Sequence, residues 1–166
     1  MAVTGFLFSC LSGSPVAQDD TRDRIVKVTN TLTGQTDTPV TMETIVDSLL
    51  ELMDLSAAIT PDNQYKEEIV SRIGVAKDLI KDGSIFDDKA RQYLSFAYRM
   101  MTDGRKYQMP QELDEFVTAA ELQEKTLRYV ERLVTQSLQS LEDGERQNTA
   151  RLLLEIVLLT ITPHPG

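Results

Sequence analysis

Helix-stop and helix-start residues divide this chain so regularly from Thr38 onward that few folds remain open to it. Pro39, Thr60-Pro61, Gly83-Ser84, Gly104, Pro110, Gly144 and Pro163 separate five helix-sized stretches whose apolar residues recur at helical spacing. Proline lacks the backbone donor that a helix interior needs, and glycine reaches the left-handed conformations that end helices. The pattern predicts an all-α fold: an up-and-down bundle of about five helices, four-helix-bundle-like, with a buried C-terminal helix and an irregular N-terminal segment.

The spacing predicts a first helix from about Pro39 to Ile59, with Met42, Ile45, Val46, Leu49, Leu52, Met53 and Leu55 on its apolar face. A second runs from Pro61 to about Asp82, capped by Thr60, with a stripe of Tyr65, Ile69, Ile73, Ala76, Leu79 and Ile80 and a left-handed exit at Gly83. A third runs from Ser84 or Asp87 to Asp103 and turns Phe86, Ala90, Tyr93, Leu94, Ala97, Met100 and Met101 inward. The fourth, Pro110 to Glu142, carries Leu113, Ala120, Leu127, Val134 and Leu141 every seven residues, with Phe116 and Val130 as a second seam. That period predicts knobs-into-holes packing. The fifth, Glu145 to Thr162, is apolar nearly all round, so one neighbour cannot cover it and it is expected at the centre.

These boundaries set the expected organisation: residues 1–37 as a flexible N-terminal segment outside the folded core, 38–163 as the helical bundle domain and 164–166 as a tail. Residues 11–37 are rich in Ser, Thr, Gly and Asp and read as a linker, with Arg24 to Val28, strand-like in composition, extended or irregular. Within the uncharged run from Met1 to Gln18, Leu7-Phe8-Ser9-Cys10 resembles a bacterial lipoprotein cleavage box, without a preceding Lys or Arg. The resemblance implies a remnant of a secretion signal with Cys10 as the lipidated residue. The compartment expected is therefore either cytoplasmic or bacterial extracytoplasmic.

Charge narrows the partners. A formal net charge of −9 disfavours nucleic acid and anionic lipid surfaces, both of which reward Lys and Arg. The most apolar run, Leu152 to Ile161, is ten residues long and contains Glu155, about half of what spans a bilayer. Membrane anchoring would rest on a lipidated Cys10. The expected partner is a protein or a second copy of the chain.

Catalytic motifs find little support. His164, the single histidine, lies in a proline-flanked tail, so neither Glu-x-x-His iron ligation nor Ser–His or Cys–His catalysis has a positioned imidazole. Cys10 is the single thiol, and no glycine-rich phosphate loop occurs. No cofactor, metal or catalytic residue is assigned, and the balance leans away from an enzyme. An enzyme built from carboxylates, Tyr and Arg would need a carboxylate pair with divergent pKa values, which the sequence does not single out.

Two charged constellations remain. Glu43, Asp47, Glu51 and Asp54 share one face of the first helix, and no basic residue occurs between Lys27 and Lys66. Like charges at that spacing repel by a few tenths of a kcal/mol, roughly, per pair. The face is either solvated, met by basic side chains of another helix, or bound by a basic partner or a cation. The other constellation is Arg99, Arg105 and Lys106, which could hold an anion or could simply favour a helix C-terminus. Met100, Met101 and Met109 read as core filler, and Tyr65, Tyr93, Phe96, Tyr98 and Tyr129 as aromatics that could line a pocket. The functional expectation is a non-enzymatic helical protein-interaction or self-assembly domain; the alternative is a bundle that binds an apolar small molecule.

Overall fold

The computed structural model describes residues 15–115 and 117–163. Cys10, Phe116 and His164 lie outside them. The described chain is all-helical: α1 (Pro15–Leu32), α2 (Met42–Ile59), α3 (Lys66–Asp82), α4 (Asp88–Met101), α5 (Gln111–Asp114), α6 (Ala119–Glu142) and α7 (Arg146–Ile161). The fold class read from the punctuation is thus observed.

The helices pack as two four-membered rings with a shared wall. In one, α1 meets α2, α2 meets α7, α7 meets α6, and α6 returns to α1. In the other, α2 meets α3, α3 meets α4, and α4 meets α7. The common α2–α7 wall holds the most buried element. Leu152, Leu153, Leu154, Ile156, Val157, Leu158, Leu159 and Ile161 of α7 are all buried, as its all-round apolar surface requires. Across that wall the Ser56 hydroxyl donates to the Ala150 carbonyl at 2.9 Å in a buried hydrogen bond.

The N-terminal expectation needs correction. Residues 15–32 form a helix, and Ile25 is fully buried in the core with Thr29 beside it. Ile25, Val28, Thr29 and Leu32 fall at helical spacing, and together they cover α2 and α6. Their β-branched composition resembles a strand, yet the Thr29 hydroxyl donates to the Ile25 carbonyl at 2.6 Å, so threonine is buried here without an unpaired polar atom. The helix then closes on Gly34, whose φ of +76° suits glycine, with Gln35 N–H donating to the Asn30 carbonyl at 2.8 Å.

Helix boundaries also move. α2 begins at Met42, where Thr41 and Thr44 form a reciprocal cap. Thr60 does not cap α3, because its hydroxyl is turned back to the Ser56 carbonyl at 2.8 Å; α3 starts at Lys66 after an Asn63 turn. Gly83 ends α3 at φ −146°, not in the left-handed region. Phe86 precedes α4 and is exposed rather than inward-facing.

The expected fourth helix is broken between α5 and α6. Glu115 and Thr118 are extended, and Thr118 starts α6 as a capping box with Glu121. The Glu121 carboxyl is held below its usual range by hydrogen bonds from the Thr118 hydroxyl and backbone N–H. The seven-residue seam is covered only towards the C-terminal end of α6, where Val134 is half-buried and Leu141 buried. Ala120 and Leu127 face solvent, while Leu122, Val130, Leu133, Ser137 and Leu141 form the buried stripe.

Two substitutions test this packing. Leu154→Ala in α7 and Ile25→Ala in α1 are each expected to destabilise by about 2–5 kcal/mol, read as a lowered urea midpoint at unchanged slope. An Ile25→Ala loss within the roughly 0.5 kcal/mol of a surface change would remove α1 from the core.

Candidate functional site

The acidic face of α2 is largely answered from within the chain. Arg24 of α1 donates to Glu51 through Nε at 2.9 Å and through a terminal nitrogen at 2.5 Å. Lys77 of α3 reaches Asp54 at 2.5 Å. Asp47 shares a shallow groove with Arg24 and Lys27, and Glu43 is exposed near the start of α2. The four carboxylates therefore do not form one unpaired strip. The compensating cations are Arg24, in the segment read as a linker, and Lys77, 23 residues beyond Asp54 on α3, which is why sequence spacing alone hid them. Both ion pairs are substantially exposed, so each contributes at most about 1 kcal/mol.

Inside the α4–α7 contact lies a polar network. The Tyr98 hydroxyl donates to Glu155 at 2.7 Å, and Arg151 donates to the same carboxylate oxygen at 2.8 Å. Arg151 is itself oriented by Asn148, whose side-chain oxygen accepts at 2.7 Å and 3.1 Å. Burial pushes the Tyr98 pKa up, and the hydrogen bond to Glu155 pushes it further, against the opposing Arg151. Every member is partnered, so Glu155 is tolerated within the apolar run Leu152 to Ile161.

Two surface grooves flank the C-terminal end of α7. One, of about 570 Å³, is lined by Asp88, Arg91, Gln92, Ser95, Phe96 and Arg99 of α4, by Lys106, Tyr107 and Met109, and by Leu158 and Thr162. It brings together Arg99 and Lys106 of the sequence-predicted basic patch. Arg105 does not line it; its side chain turns to the Thr102 carbonyl at 3.3 Å. Arg91, Gln92 and Ser95 join instead, and their spacing from Arg99 along α4 was legible as one helical face. The Arg99 guanidinium lies 5.3 Å from the centre of the Phe96 ring, and its Nε is buried without a hydrogen-bond partner.

The other groove, of about 400 Å³, is mainly apolar. Leu32, Val40, Ile45, Phe86, Leu122, Leu127, Val130 and Leu159 line it, with Thr33, Gln123, Thr126 and Thr160 among its polar members. Val40, Phe86 and Leu127 are large apolar side chains left exposed. Sequence reading placed Phe86 and Leu127 in the core because their spacing fits a helix stripe. Phe86 precedes the late start of α4, and Leu127 lies in the N-terminal half of α6, where the seam is left open.

The remaining aromatics do not converge on one pocket. Tyr129 is on α6 and stacks with Arg132 at 4.5 Å, whereas Tyr93, Phe96 and Tyr98 are on α4, which does not pack against α6. Among the described residues no group of three or more His, Cys, Asp or Glu is placed to hold a metal ion, and no helix is long and apolar enough to cross a membrane. Compared with known proteins, the chain matches no family model, and no curated protein or solved structure is significantly similar to it.

Tyr98→Phe is expected to cost about 1–2 kcal/mol near neutral pH by removing a hydrogen bond to a carboxylate. Because the folded state raises the Tyr98 pKa, this stabilisation is complete below the ordinary tyrosine value of about 10 and is lost as pH rises through the higher folded value. Urea melts of both proteins across that range should show the gap closing at alkaline pH; a constant gap would contradict the network.

Proposed function

We propose that this protein is a non-enzymatic helical interaction module that receives an apolar segment of a protein partner in the groove between α1, α6 and α7. One observation carries the reading: Val40, Phe86 and Leu127 are exposed around a single apolar depression, backed by buried Leu122 and Leu159. Contiguous exposed apolar surface costs solvation unless something covers it, and grooves between helices accept the apolar face of an amphipathic segment. Placing this surface at one site distinguishes it from apolar side chains scattered singly.

The apolar-ligand reading retains one supporting observation. A volume of about 400 Å³ with threonine hydroxyls at the lining falls within the size range of small-molecule sites. The acidic face of α2 offers less to a basic partner than its sequence suggested, since Glu51 and Asp54 are already paired.

Site-specific photo-crosslinking separates these readings. A photoreactive residue replacing Leu127 is expected to give a discrete adduct with another polypeptide, abolished by Phe86→Asp, whereas the same residue at Asp47 gives no such adduct. An adduct of this chain with itself assigns self-assembly. Retention of the adduct in Phe86→Asp, or a small-molecule adduct alone by native mass measurement, would reject the protein-segment reading.

A further inference from the structure

We propose that the groove between α4, the Lys106–Met109 segment and the C-terminal end of α7 binds a compact multivalent oxyanion, a polyphosphate or polycarboxylate group. This stands independently of the apolar groove. The lining holds Arg91, Arg99 and Lys106 against one carboxylate, Asp88, in a protein whose formal net charge is −9. Arg91 is committed: it pairs with Asp88 and donates to the Phe86 carbonyl at 2.9 Å. Arg99 and Lys106 have no carboxylate within ion-pair distance among the described residues.

Arg99 is also held in a form suited to an anion. Its guanidinium is positioned by the Phe96 ring, and its inner nitrogen has already lost water without gaining a partner. Part of the desolvation that an ion pair costs is therefore incurred before any ligand arrives. Its outer nitrogens provide the planar fork that matches carboxylate or phosphate oxygens. Gln92 and Ser95, on the same face of α4, add neutral donors.

A helix C-terminus would ordinarily repel an anion, but three of the last four carbonyls of α4 are occupied. The Arg99 carbonyl accepts from Thr102 and Gly104 N–H, the Tyr98 carbonyl from the Thr102 hydroxyl at 3.0 Å, and the Met101 carbonyl from the Gln147 side chain at 2.7 Å. Their partial negative charge is offset, which leaves the guanidinium and ammonium groups to set the local field.

The experiment is a nuclear magnetic resonance titration of the whole protein with inorganic pyrophosphate and, separately, with citrate, at constant ionic strength. The Arg99 Nε–H resonance and the Lys106 amide are the reporters. Saturable, localised shifts are expected with at least one anion, and the tighter one identifies phosphate or carboxylate as the source. Lys106→Gln, an exposed change that leaves the fold intact, should weaken binding about tenfold, as should Arg99→Gln, while Arg128→Gln on α6 leaves it unchanged. Non-saturating shifts with both anions would overturn the proposal, as would equal binding by Lys106→Gln and wild type.

Discussion

A helix that is apolar on every side must be covered on every side, and α7 imposes that condition on the whole molecule. Its 16 residues include ten buried ones, and three long helices, α2, α4 and α6, are needed to enclose it. The two rings follow from this requirement, because α2 and α7 each serve both. α1 then closes the first ring and α3 the second. Close approach along the shared wall is helped by small residues, with Ser56 facing the Ala150 carbonyl.

The single carboxylate in the apolar run of α7 adds specificity to this burial. Leucine-rich surfaces pack in several rotations at similar cost, but the half-buried Glu155, already paired with Arg151 one turn back on α7, meets the Tyr98 hydroxyl of α4 in one rotation only. A rotated α7 would forfeit that hydrogen bond. The polar network thus fixes which face of α7 meets α4, and it thereby positions Leu158 and Leu159 on opposite grooves.

Those grooves have contrasting chemistry at one place. Thr162 borders both, and the entry to α4 supplies Phe86, ahead of the helix, to the apolar one and Asp88, its first residue, to the basic one. The negative charge of the protein is meanwhile distributed so that α2 carboxylates meet α1 and α3 cations. The surplus of positive charge around Arg99 and Lys106 is therefore local, and at physiological ionic strength a field of that kind reaches only about 8 Å from its source.

The sequence by itself determined the helical class, the central place of α7 and most of the buried stripes of α2, α3 and α4, because each depends on periodicity within one segment; Met42 and Tyr65, read into those stripes, are exposed at the helix starts. It also contained signals passed over: Thr118-x-x-Glu121 is a capping box that breaks the long helix, and Ile25, Val28, Thr29 and Leu32 keep helical spacing despite strand-like composition. Only the tertiary structure decided which charges meet. Arg24 and Glu51 are 27 residues apart, and Arg99 and Lys106 join a groove with Leu158 of α7, more than 50 positions away. It also decided that Phe86 and Leu127 face solvent, since exposure depends on where neighbouring helices stop. Local periodicity records which side of a helix is apolar; whether that side is covered depends on elements distant in the chain.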